Sequence, residues 1–177
     1  MNRIIQHYHL LRQEVDAKAT ALESLHRDHL RCEKGCAQCC VNLTVWPVEF
    51  FAIVEELKAA QIRPVFDSSA SCGFLKEGLC QIYAWRPIIC RTHGLPLVYL
   101  DDEQDEPAYG VMFCGKNFVG DTADAVDFGP DNTLAMDAVN ETLARLHTEF
   151  LEAGGESGPD GQGRIALSRL SEFLSIL

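Results

Sequence analysis

Cysteine is the residue type most able to do chemistry in this chain, and its spacing is uneven. Cys32, Cys36, Cys39 and Cys40 fall in one short run, and Cys72, Cys80, Cys90 and Cys114 are spread over the stretch that follows. Thiolate sulfur is a soft donor, and gaps of two or three residues let successive thiolates converge on one ion without distorting the backbone. All eight are candidate metal ligands, with Cys36, Cys39, Cys72, Cys80 and Cys90 placed first. The adjacent pair Cys39 and Cys40 constrains the arrangement, because neighbouring side chains point apart on extended or helical backbone. The two serve different metal atoms, or one ligates while the other packs in the core or resolves a redox reaction. One principal site per chain is the expectation, with Cys36 and Cys39 sharing it with two cysteines of the later set.

Disulfides are the competing use of cysteine, and they persist in oxidising compartments. The segment Met1 to His9 has neither an apolar core nor a small-residue cleavage site, so a secretory signal is not expected. A cytoplasmic location, where thiols stay reduced, is the consequence. Four thiolates around a zinc dication leave a net charge of about −2, and a thiolate-bound iron-sulfur cluster is similarly anionic, so guanidinium groups nearby are favourable. Arg86 and Arg91 are the candidates. His93, three residues beyond Cys90, can complete a site through its imidazole, whereas His7, His9, His26, His29 and His147 fall in predicted helices away from the cysteines.

The ordered succession of the cysteine run, then Cys72-Gly73-Phe74-Leu75, then Cys80 through Arg86-Pro87 to Cys90-Arg91, resembles the bacterial CxxCxxCC family, described as a zinc- or iron-chelating domain and often called an iron-sulfur protein. The likeness covers roughly residues 32 to 93, and the flanking helices lie outside it. Three residues separate Cys32 from Cys36 here, where the family pattern has two. The resemblance favours an iron-sulfur cluster as the occupant, with zinc second. The spacing of Cys32, Cys36 and Cys39 also reproduces that of radical S-adenosylmethionine enzymes, which need a large (β/α) barrel and usually carry an aromatic residue where Gln38 stands.

The elements that must position these thiols are mostly helical. Ile4, Tyr8, Leu11, Val15, Leu22 and Leu25 recur at helical steps and predict a first helix that ends near Arg31, with Lys18 on its stripe. A second helix is expected from Pro47, with Phe50, Ile53, Val54 and Leu57 on its apolar face and Pro64 beyond its end. From Asp67 to Gly120 no period persists, and only Leu95 to Leu100 has the pattern of a strand. A loop that long is poorly stabilised by burial alone, and a metal that closes it supplies folding free energy. A long helix is expected from about Thr133 to a stop at Gly154-Gly155, with Val139, Leu143, Leu146 and Phe150 on one face. The domain plan is residues 1–153 as the metal-binding domain with its flanking helices, a flexible linker over 154–163, and a C-terminal helix over 164–177. The fold class is a mostly α, small single domain, with long N- and C-terminal helices around a loop-rich, metal-stapled cysteine segment.

The chain has 177 residues, a hydrophobic fraction of 47% and a formal net charge of −11. That size suits one core, and the acidity repels phosphate backbones and anionic lipid, so neither nucleic acid nor a membrane is an expected partner. The acidic run Asp101 to Glu106 has the composition of a solvated loop. No phosphate-binding Gly-Lys loop, nucleophile elbow or HExxH motif is present. Three functional classes stand: a metal-binding protein in electron transfer or redox sensing; an iron-sulfur-dependent enzyme that modifies another protein; and a zinc-stabilised interaction module whose terminal helices dock a protein partner or a second copy.

Overall fold

Apolar residues at steps of three and four roll Asn2–Leu25 into one helix, α1, whose buried line is Ile5, Tyr8, Leu11, Val15, Ala19 and Leu22. In this computed structural model, which describes residues 1–33, 35–101, 108–119, 126–158 and 163–174, the line is displaced from the predicted one. Ala19 faces the core where Lys18 was expected to, Lys18 is exposed, and Leu25 is 61% exposed. At 3.6 residues per turn a buried line drifts against a strict seven-residue repeat, and the burial of Ala19 and exposure of Leu25 follow that drift. The helix stops at Leu25, six residues before the predicted end, where the His26 ring bonds the Asn132 carbonyl at 2.8 Å.

Helix α2, Pro47–Ala59, starts on the expected proline and buries Val48, Phe50, Ala52, Ile53, Val54 and Leu57. Its end is set before Pro64 is reached. The N–H of Ile62 donates to the Leu57 carbonyl at 2.9 Å and that of Gln61 to the Lys58 carbonyl at 3.1 Å, with Gln61 at φ 57. This pair of backward bonds is a Schellman cap. Helix α4, Met136–Glu152, closes in the same way on Gly154 and Gly155, the stop expected from sequence.

The middle segment is more ordered than its sequence suggests. Strands β2 (Leu75–Lys76) and β3 (Leu79–Cys80) make a small hairpin, a 3₁₀ turn spans Tyr83–Trp85, and α3 covers Ile88–Thr92. Strand β4, Leu97–Asp101, pairs antiparallel with β5, Ala108–Met112, and parallel with β6, Leu134–Ala135. Elements of two to five residues are too short to establish a period, which is why only β4 was visible in the pattern. Residues 102–107, most of the predicted acidic loop, lie outside the described residues.

The C-terminal part departs most from expectation. Strand β7, Ile165–Ala166, pairs antiparallel with β1, Thr44–Val45, and a 3₁₀ turn over Leu167–Arg169 leads into α5, Leu170–Leu174. The helix is thus short within the described residues, where a long one over 164–177 was expected. Pairing with β1 uses residues that a longer helix would have needed, and Ile165, Leu167, Leu170 and Leu174 are all buried. Residues 159–162 of the predicted linker and 175–177 lie outside the described residues. The described elements are 45% helical and 12% strand, so mostly α is the right class.

Two apolar clusters meet across α2. One joins α1, α4 and β4 around Tyr8, Leu146 and Phe150; the other joins the hairpin and the C-terminal segment around Phe50, Phe74 and Leu170. Glu49 is buried at 2% exposure, where its carboxylate accepts the Tyr8 hydroxyl at 3.4 Å and the Ile88 N–H at 3.1 Å. Burial pushes the Glu49 carboxyl above its ordinary value, outweighing the hydrogen bonds that pull it down. An acid whose folded pKa is raised binds more protons folded than unfolded, so stability falls as pH rises from the unfolded to the folded value. Glu49→Gln should remove that slope. Denaturant titrations across a pH series are expected to show the wild type losing stability relative to the variant above the ordinary carboxylate range; parallel profiles would contradict it.

Candidate metal centre

Each cysteine is delivered by a locally determined piece of backbone. The run Cys32 to Cys40 follows α1 without regular structure and is held by turns, in which the Cys36 N–H donates to the Glu33 carbonyl at 2.9 Å and the Cys40 N–H to the Ala37 carbonyl at 3.0 Å. Cys72 precedes the hairpin and its carbonyl accepts the Leu75 N–H, while Cys80 sits in β3 opposite Leu75. Cys90 is carried by α3, and Cys114 follows β5. All eight are free thiols. Among the described residues no three Cys, His, Asp or Glu side chains stand close enough, as placed, to hold an ion.

The thiols nevertheless divide into two neighbourhoods. In the first, Asn42 Oδ1 accepts the Gly73 N–H at 2.9 Å, which ties the chain just after Cys40 to the chain just after Cys72. Gly73 is required there for a steric reason, since a Cβ at that position would lie 2.2 Å from the Phe66 ring. Cys72 and Cys80 both pack against the cluster around Phe74. Burial pushes the Cys40 thiol up to about 11, helped by the fields of Cys39, Cys72 and Cys80. Burial pushes Cys90 up to about 12, helped by Cys72, Cys80 and Cys40. Burial raises Cys80 as well, with Cys72 adding to it. Cys40, Cys72, Cys80 and Cys90 thus act on one another through their fields, although no three of them, as placed, stand close enough to hold an ion.

The second neighbourhood lies around Gly94. At φ +93 this residue is in the left-handed region, and a Cβ on it would meet Cys32 Sγ at 2.9 Å and the Cys114 Cβ at 3.7 Å. The Asn117 side chain locks the arrangement: its Nδ2 donates to the Gly94 carbonyl at 2.7 Å and to Cys32 Sγ at 3.5 Å, and its Oδ1 accepts the Arg31 N–H at 2.8 Å. Cys39 belongs to this side. Its thiol is raised by burial first, and the fields that add to this shift come from Cys32, Cys114 and Cys36. The vicinal thiols stay in contact, since the field of Cys39 and a side-chain hydrogen bond with it both help to raise Cys40.

The two candidate arginines differ. The positive field of Arg86 pulls the Cys80 and Cys90 thiols down against burial, and its Nε is buried with no hydrogen-bond partner among the described residues. Arg91 is 8% exposed and commits its donors elsewhere. It holds Asp16 of α1 at 2.6 Å and the carbonyls of Arg86 at 2.7 Å and Ala84 at 2.7 Å. It fastens to α1 the turn that presents Arg86. His93 caps α3, and burial pushes its imidazole down, which favours the neutral, ligating form. Of the remaining histidines, His147 stacks on Trp46 at 4.5 Å and His29 on Phe118 at 5.6 Å, as packing residues do.

The donor set suits a soft cation. Thiols crowded enough to raise one another resist becoming thiolates together, and a bound cation reverses that by supplying the missing positive charge. Sequence inspection missed Asn42, Glu49, Gly94 and Asn117. Asn117, three residues beyond Cys114, is the one that spacing could have suggested. Among the described residues no helix is long and apolar enough to cross a membrane. No curated protein and no solved structure matches the chain. Residues 31–109, which hold seven of the eight cysteines and both arginines, match the CxxCxxCC family, whose description is "putative zinc- or iron-chelating domain".

Proposed function

We propose that the protein binds metal through cysteine thiolates, with Cys40, Cys72, Cys80 and Cys90 as its principal site. The observation that supports this is that thiols from four separate chain segments act on one another through their fields and that Cys80 and Cys90 also feel Arg86, whose guanidinium lies 3.8 Å over the Tyr83 ring and whose Nε has no hydrogen-bond partner among the described residues. A structural role for the thiols alone would not require them to crowd, since buried thiols gain nothing from one another's fields. The family description of zinc or iron chelation supports the same chemistry.

The favoured occupant is a [4Fe-4S] cluster, and the work it supports is electron transfer or redox sensing, because such clusters change charge by one electron and are tuned by neighbouring charges such as Arg86. Zinc at the same thiolates would instead make a structural centre, with function on the protein surface. Protein purified without oxygen is expected to be brown, with broad absorption near roughly 400 nm and about four irons and four sulfides at the principal site. A colourless protein that carries zinc and takes up no iron on anaerobic reconstitution would refute the redox role and leave the thiolate site standing.

A further inference from the structure

Two thiols that the principal site does not use, Cys32 and Cys114, are brought together by the chain around Gly94. We propose that they form a reversible disulfide, a redox modification site that closes residues 32–114 into one ring. The pair goes beyond the metal reading, since neither sulfur belongs to the proposed site and Cys114 follows the matched residues 31–109.

The geometry around Gly94 carries the inference. From the place where a Cβ on Gly94 would stand, Cys32 Sγ is 2.9 Å away and the Cys114 Cβ 3.7 Å away. Sulfur and carbon therefore border one small space, which any side chain at Gly94 would fill. The segments that carry them are fixed to the same point. The Cys114 N–H donates to the Gly94 carbonyl at 3.4 Å, and the Asn117 N–H donates to the Cys114 carbonyl at 2.8 Å. Asn117 Nδ2 donates to Cys32 Sγ at 3.5 Å and to the Gly94 carbonyl at 2.7 Å, while its Oδ1 accepts the Arg31 N–H at 2.8 Å. Asn117 thus ties both cysteine-bearing segments to Gly94 and holds the Cys32 sulfur in place. A disulfide needs its two Cβ atoms about 3.5–4.5 Å apart, and rotation of the two side chains makes the remaining approach.

Access sets the order of events, because Cys32 is exposed and Cys114 half-buried. The oxidant is a small-molecule disulfide such as oxidised glutathione. The Cys32 thiolate attacks one glutathione sulfur, breaking that S–S bond and releasing one glutathione thiolate as the mixed disulfide forms. The Cys114 thiolate then attacks the Cys32 sulfur and expels the second glutathione. Two protein thiols lose two electrons, the glutathione disulfide gains them, and the two protons end on the released thiolates. The ring so closed encloses the hairpin and α3 with Cys40, Cys72, Cys80 and Cys90. Cross-linking its ends restricts the unfolded chain and so holds this segment folded under oxidising conditions.

The test incubates the full chain, purified without oxygen, with oxidised glutathione in buffer and in urea. Free thiols are then alkylated, linked peptides are mapped by mass, and metal content is measured before and after. In buffer the main product is expected to be Cys32 linked to Cys114, with a higher melting midpoint and unchanged metal content; dithiothreitol should reverse the linkage and the shift. In urea that selectivity should be lost, because the fold brings the two together. Cys114→Ala should stop at a lasting glutathione adduct on Cys32. Linkage of Cys32 to Cys36 or of Cys39 to Cys40 in buffer, a lasting adduct on Cys32 of the wild type, or the same products in buffer and urea would overturn the proposal. Metal release on oxidation would overturn the separation of the pair from the metal site. Protein that carries no metal yet links Cys32 to Cys114 would defeat the metal reading and leave the disulfide standing.

Discussion

Replacing Cys90 by Ser is expected to lower metal content and thermal stability together. Cys90 is carried by α3, and burial pushes its thiol up to about 12, with the fields of Cys72, Cys80 and Cys40 adding to the shift. In the proposed site, removing its sulfur leaves three ligands and opens the metal's connection between α3 and the hairpin. A structural metal contributes binding free energy as folding free energy, on the order of 10 kcal/mol in small zinc domains. Forfeiting even about 3 kcal/mol of it would lower the melting midpoint by roughly 10 °C at about 2–4 °C per kcal/mol. In metal-free protein the same change should matter far less, since Ser differs from Cys by one atom at a half-buried position. Calorimetry of both forms, with elemental analysis, checks this; equal midpoints and unchanged metal in the loaded variant would contradict it.

Phe74→Ala should have an effect of similar size that does not depend on metal. Phe74 is 1% exposed, meets the Phe66 ring edge-on at 5.2 Å, and belongs to the cluster that joins the hairpin to α2 and the C-terminal segment. Truncating a fully buried Phe costs about 3–5 kcal/mol through lost burial and the cavity left behind. Because this loss comes from packing, it is expected in metal-free protein as well as in loaded protein. Denaturant unfolding of the metal-free variant measures it, and a change below about 1 kcal/mol would mean that the middle segment does not pack until metal binds.

That contrast locates what could be seen in the sequence. The long helices were legible because α1, α2 and α4 each run over three or more turns, enough for Tyr8, Leu11 and Val15 or Leu143, Leu146 and Phe150 to display a period. Their ends were partly legible: Pro47 and Gly154 act through the backbone at their own positions, whereas the cap after α2 uses Gln61, a residue type that seldom signals one. The middle segment looked dependent on metal alone because its strands are so short. Phe74, Ile82 and Ile88 are nevertheless buried and supply apolar support that no pattern announced. The C-terminal helix was overextended because Leu167, Leu170 and Leu174 fit a helical stripe equally well from a 3₁₀ turn and one short helix, which a strand over Ile165–Ala166 precedes.

For the thiols, residue type and clustering were legible but partition was not. The sequence reading has Cys36 and Cys39 share a site with two cysteines of the later set. The partition depends on Asn42 meeting Gly73 and on Gly94 admitting Cys32, contacts separated by 31 residues in one case and made by a left-handed glycine in the other.

X-ray absorption at the metal edge of protein purified without oxygen tests thiolate ligation most directly, since it reads the donor atoms around the metal whatever the metal is. The account predicts a first shell of about four sulfurs, at about 2.3 Å if the metal is zinc. A shell of nitrogen and oxygen at about 2.0–2.2 Å, or protein that carries no metal at all, would contradict it.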